Sequence, residues 1–137
     1  MAQFNTKNQS SIVAKRWFTD IDINMALHPE SGDTALKYDI NAIKRSVKNI
    51  LLTNHYERPF KPSLGANMRG MLFELATSET KIIKRNITEA IRSFEPRASV
   101  ENISAFLEGN SMNVTVLFSI RNVPGTHNLD VVVERVR

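Results

Sequence analysis

ISAFLEGNSMNVTVLF, residues 103–118, holds a turn and two flanks that specify one another. Gly109-Asn110 is a two-residue hairpin signal, because glycine supplies the backbone conformation that a tight turn needs. If the turn forms there, Leu107 faces Met112, Ala105 faces Val114 and Ile103 faces Val116, all on one side of the ribbon. Phe106 with Asn113, and Ser104 with Thr115, take the other side. A slip of one residue would move every side chain to the wrong face, so turn and pattern support each other. Downstream, a second hairpin centred on Pro124-Gly125 would set Ile120 opposite Leu129, Phe118 opposite Val131 and Val116 opposite Val133. An L-Pro-Gly turn twists against the strands, so this loop is expected to be wider than two residues. The outcome is a three-stranded antiparallel meander with one apolar face.

That face needs a cover, and the preceding chain supplies helices. Ile40, Ile43, Val47, Ile50 and Leu51 repeat at helical spacing, with Asp39 as the expected cap and the pattern stopping near Asn54. Lys44, Arg45 and Lys48 fall largely on the outward face. Residues 56–74 read as a proline-bounded loop, a rigid connector anchored by Phe60, followed by a short helix with Met68, Met71, Leu72 and Phe73. Gly65 to Gly70 has the frame of a phosphate loop but lacks the Lys-Ser/Thr that must follow. A third helix is expected from a cap at Thr77 or Ser78, with Ile83, Ile87, Ala90, Ile91 and Phe94 as its buried stripe. Proline lacks the backbone donor and disfavours helical geometry in the residue before it, so Pro96 ends this helix at about Phe94. Residues 1–15 read as a flexible arm, and 16–137 as a single domain whose first part, around Trp17, is extended. The fold class is α+β: about three helices on a C-terminal three-stranded meander.

Composition excludes more than it assigns. The chain has 137 residues, 42% hydrophobic and 23% charged, with 18 Lys+Arg against 14 Asp+Glu. That is enough chain for one real core. With no cysteine, neither disulfides nor a thiolate metal site can contribute. No stretch approaches the ~20 apolar residues of a membrane span, and MAQFNTKNQSS has no apolar core of a secretory signal. The expected setting is cytoplasm, or a particle assembled there. His28, His55 and His127 fall in three separate loop-like regions without ligand spacing, and Asp20 with Asp22 reads as a polar pair near a turn. Neither G-x-S-x-G nor H-E-x-x-H occurs, so no enzyme is expected. A small basic nucleic-acid-binding module is the competing class. Its basic residues lie on helix faces without an interleaved aromatic stacking platform, which argues against it.

Four stretches occur in a fixed order: FTDID (18–22), AIKRSVKNILLTNHYERPFKPSLG (42–65), LFE (72–74) and FEPR (94–97). Together they resemble the small baseplate wedge protein of contractile-tailed, T-even-type phages. This family also carries a lysozyme-like label and has a counterpart in type VI secretion. The resemblance covers roughly residues 16–137 and implies a structural virion protein of the inner baseplate with no cofactor. It implies wedge proteins and tail sheath subunits as partners, with tail-tube or hub neighbours beyond them. In the family, the Glu-Pro-Arg triplet, here Glu95, Pro96 and Arg97, contacts the helical core bundle of the wedge. A helix stop is expected to present Glu95 and Arg97 at a rigid corner, where alanine at Arg97 would cost less than about 1 kcal/mol. The family's C-terminal sheet also lets sheath arms add strands. That assigns Leu129, Val131, Val132, Val133, Glu134 and Arg135 to strand addition. No residue supports the hydrolysis that the lysozyme-like label suggests.

Overall fold

The computed structural model describes residues 16–22, 24–74 and 80–134. In chain order the elements are β1 (Thr19–Ile21), β2 (Leu36–Tyr38), α1 (Asp39–Leu52), α2 (Met68–Glu74), α3 (Thr80–Phe94), β3 (Ala98–Glu108), β4 (Ser111–Ile120) and β5 (Val123–Glu134). The three long strands form one antiparallel sheet in the order β3-β4-β5, and β1 pairs with β2 in a separate small sheet. The small sheet is an addition to the sequence reading, which gave this region only as extended chain and turn; three-residue strands are too short for a periodic signal.

The β3–β4 register is the one the turn dictates: Leu107 pairs with Met112, Ala105 with Val114 and Ile103 with Val116. Gly109 takes a positive φ of 58°, as the first central residue of such a turn requires. Between Val100 and Asn102 the register shifts by a bulge. The bulge re-phases the strand, so Ala98 and Val100 turn to the same face as Ile103.

The β4–β5 hairpin departs from expectation. The turn is Arg121-Asn122, not Pro124-Gly125, and Val116 pairs with Leu129, Val114 with Val131 and Met112 with Val133. Asn122 sits in the left-handed region (φ 68°), which asparagine tolerates, while Pro124 and Gly125 become extra residues within β5. The offset from the expected pairing is an even number of residues, so Leu129, Val131 and Val133 still face inward. His127, expected in a loop, lies in β5 beside the Phe118 ring.

Against that face lie the helices. The core joins Ile43, Val47 and Leu51 of α1, Met68 of α2, and Ile83, Ile87 and Ile91 of α3 to Met112, Val114, Val116 and Phe118 of β4. Burying each large side chain contributes about 1.5–3 kcal/mol. α3 packs on β3 and α1 on β5, a two-layer arrangement that leaves the other sheet face uncovered by the described residues. Among the described residues no helix is long and apolar enough to cross a membrane.

Three local expectations are corrected. Asp39 does not cap α1: the residue before the helix is Tyr38, and no side chain makes the cap bond. Instead Asp39 Oδ1 accepts the backbone N–H groups of Trp17 (2.8 Å) and Phe18 (2.9 Å), fastening the N-terminal strap. Arg45 is not a free surface cation; its Nη1 lies 2.5 Å from Oδ1 of buried Asp22, whose other oxygen is 3.4 Å from Lys37 Nζ. Phe60 does not anchor its loop, for it is 97% exposed. The expected caps Thr77 and Ser78 lie outside the described residues.

Candidate docking surfaces

The corner after α3 is built from a stopped helix and a bulged strand. Glu95 N–H still donates to Ile91 C=O (2.7 Å), and the chain then turns through Pro96 and Arg97, closed by Ala98 N–H on Glu95 C=O (3.1 Å). Proline suits this position because its fixed φ matches the first central residue of a turn. Arg97 C=O in turn accepts Arg121 N–H (3.0 Å), which ties the corner to the β4–β5 turn.

Within that frame the side chains of the triplet separate. Glu95 is 2% exposed, whereas Pro96 is on the surface. Arg97 grips the buried carboxylate with two hydrogen bonds of 2.5 Å, from Nε to Oε1 and from Nη2 to Oε2. Burial pushes the Glu95 carboxyl up, but hydrogen bonds from Arg97 and Ser46 and the Arg97 charge outweigh it, holding it below the ordinary carboxylate range. Hydrogen bonding to Glu95 in turn raises Arg97 further. The guanidinium also lies 5.2 Å from the centre of the Phe18 ring, so the same side chain holds the strap. The expectation that both charges project outward is therefore corrected: Glu95 points in, and Arg97 keeps 40% of its side chain exposed. That exposed part borders a groove of about 750 Å³ shared with Arg92, Pro96, Ser99, Ser119 and Arg121. Arg92 and Arg121 bring cations to the groove that sequence spacing could not connect, since they come from α3 and from the second turn.

The second surface is the outer side of β5. Among the described residues, no strand pairs with that side. Hairpin geometry tells which backbone groups point there. Residues flanking a two-residue turn exchange both hydrogen bonds, and such pairs alternate along an antiparallel ladder. Starting from Glu108 and Ser111, the odd residues of β4 bond to β3, so Met112, Val114 and Val116 bond to β5. Leu129, Val131 and Val133 then have their backbone groups on β4, while those of Asn128, Asp130, Val132 and Glu134 face the open edge. Asn128 and Asp130 were missing from the sequence assignment because pattern alone does not give the direction of an N–H. Val132 is 57% exposed, Val131 and Val133 are buried, and Arg135 lies outside the described residues. A smaller groove of about 350 Å³ joins Leu129 to Lys37, Asn41, Lys44, Arg45 and Lys48, so α1 flanks this strand with cations.

Three carboxylates are held below their ordinary range. Asp22 is lowered by the Asn24 backbone N–H, against burial, with help from Arg45 and Lys37. Glu57 is lowered by bonds from Asn54. Like Glu95, both move opposite to a general acid, which needs a raised pKa. Among the described residues no cluster of three or more His, Asp or Glu could hold a metal.

Comparison with known proteins converges. The sequence model of the family described as "Baseplate wedge protein gp25" matches residues 38–124. A relative of that name from Enterobacteria phage T4 is 30% identical over 110 residues, covering 78% of this chain and 83% of the relative. Two solved structures share the fold at 21% identity. One is a putative tail lysozyme from Geobacter sulfurreducens (TM-score 0.61, 69% of this chain and 89% of that one). The other belongs to the anti-feeding prophage baseplate (TM-score 0.59, 84% of this chain and 83% of that one).

Proposed function

The chain belongs to the family of baseplate wedge protein gp25, and from that premise we propose that it is an adaptor with two docking surfaces. It is a structural component of a contractile-tail baseplate, a virion protein that meets other baseplate components. On this reading the Pro96–Arg97 corner sits on the helical core of the wedge. The outer edge of β5 receives a strand from the first ring of sheath subunits and templates their assembly. Tail-tube or hub neighbours are further contacts of the same particle.

The observation that carries the reading is the outward row of backbone groups on Asn128, Asp130, Val132 and Glu134. An open edge of this length is a template for another chain, and proteins normally blunt such edges with proline or inward charge. Within β5 the only proline is Pro124, far from the row. Added strands gain affinity from main-chain hydrogen bonds and specificity from alternate side chains. Here Lys44 and Lys48 flank the site and favour an acidic strand. On this reading the role is structural, and none of the three carboxylates with a shifted pKa is raised towards the range of a general acid.

Val132→Pro tests the template. Its N–H faces outward, so proline leaves the β4 ladder intact and removes one donor from the edge. The variant is expected to fold and co-purify with the wedge proteins, yet fail to start sheath on the baseplate. A folded variant that nucleates sheath of normal length overturns the strand assignment.

A further inference from the structure

Between α1 and α2 the chain makes a loop whose shape is closely specified but whose largest side chains touch nothing in the core. Tyr56 is 84% exposed and Phe60 is 97% exposed. Leaving rings of this size in water forgoes the stabilisation that burial gives, so exposed aromatics on an ordered loop mark a contact surface. Tyr56 N–H donates to Pro62 C=O (2.8 Å), closing the loop, while Lys61 N–H bonds Arg58 C=O (3.1 Å) and Leu64 N–H bonds Lys61 C=O (3.0 Å). Asn54 holds both Glu57 oxygens, through its backbone N–H (3.0 Å) and Nδ2 (2.6 Å), and His55 Nε2 is 3.2 Å from Gly65 C=O. Tyr56 adopts a positive φ of 67°, a conformation that is unfavourable for a bulky residue. At the loop's end a Cβ on Gly65 would stand 2.1 Å from the Thr53 carbonyl oxygen, so this backbone is pressed against the end of α1.

Around the rings cations outnumber acids three to one. Arg58, Lys61 and Arg69 are exposed, and the neighbouring acid, Glu57, is engaged by Asn54. Aromatic residues and arginine are enriched at the cores of interfaces, the rigid aromatic rings because they supply a large contact area at low entropic cost. We infer that residues 56–61 form a knob that inserts Phe60 into an apolar pocket of a neighbouring baseplate protein, with Asp or Glu side chains at the pocket rim meeting Arg58 and Lys61. This is a third contact, separate from the corner and the β5 edge, and its assignment to a baseplate neighbour rests on the proposed function.

The test places p-benzoyl-L-phenylalanine at position 60 in particles assembled with the full chain, irradiates them and maps the cross-linked peptides. One protein neighbour is expected, joined at an apolar site bordered by carboxylates. Cross-linking to nucleic acid, to a second copy of this chain, or to nothing in particles that contain it overturns the knob. In parallel, Phe60→Ala and the double variant Arg58→Glu with Lys61→Glu are expected to melt with the wild type, since these groups lie outside the core. Each is expected to enter particles about tenfold less efficiently, the effect of losing one hot-spot contact. Equal incorporation overturns the proposal. Val132→Pro particles are expected to keep the position-60 cross-link while losing sheath, so the two readings fail separately. A wild-type chain that enters no baseplate at all would instead sink the proposed function.

Discussion

Arg97 is one residue with three partners, and its replacement separates structure from docking. Removing the guanidinium leaves the Glu95 carboxylate buried without its bidentate partner. A fully buried pair broken in this way costs about 3–5 kcal/mol. Because Arg97 is 40% exposed, solvent screening reduces that to about 2 kcal/mol. Arg97→Ala is therefore expected to lower Tm by about 4–8 °C in a thermal melt, more than its apparent position on a surface corner suggests. Acid gives an independent check. The Glu95 carboxyl has a folded pKa below its ordinary 4.5, so its ionisation stabilises the fold above that value. The contribution is lost as pH falls through the range below 4.5. The Tm gap between wild type and Glu95→Gln is expected to be widest near neutrality and to close in acid; a gap independent of pH contradicts the ion-pair account. Docking is better probed by Arg121→Glu, which leaves the Glu95–Arg97 pair intact. It is expected to melt normally and to co-purify poorly with wedge proteins. Proline's effect on the helix was legible in the sequence, but the inward turn of Glu95 was not, because burial of a side chain at a helix end is set by tertiary packing that local pattern does not carry.

At the scale of elements, the β3–β4 hairpin was legible because turn chemistry and alternation are both local and both pointed to Gly109-Asn110. The next hairpin was not. Pro124-Gly125 carries the stronger turn signal, yet Arg121-Asn122 turns the chain and the stronger signal is absorbed as a bulge. Pairing Met112 with Val133 extends the inward apolar rows to the far end of β5, so sheet packing decided what dipeptide preference could not. Asp39 misled for a similar reason: an acid at a helix start is a cap by local rules, but here the strap brings two backbone donors to it from residues 17 and 18. The loop before α2 makes an element-scale prediction. Gly65 has φ 109° and no room for a Cβ, so Gly65→Ala is expected to destabilise by about 3 kcal/mol, read as a shifted denaturant midpoint. Such a variant would displace the Tyr56–Phe60 knob while leaving the sheet in place.

Across the described residues, helices on one sheet face leave the opposite face, the β5 edge, the Pro96 corner and the Tyr56–Phe60 loop exposed. That distribution suits a part held from several directions. On the structural reading, the purified chain is expected to degrade neither peptidoglycan nor nucleic acid, and Glu57→Gln or Glu95→Gln is expected to change no background rate. Turnover that vanished with either change would overturn the structural role. The strap has a further consequence, which concerns time. Phe18 and Asp22 come early in the chain, but their seats are finished late. Asp22 needs Arg45 of α1, and Phe18 lies against Arg97, which takes its place only where α3 gives way to β3. Chain synthesised earlier must wait for partners synthesised later, and contacts that close long loops form slowly. The strap, translated before α1 and α3, thus settles after them. Pulse-labelled hydrogen exchange during refolding is expected to protect Val114 before Phe18, and a nascent chain released before Arg97 would carry its strap undocked.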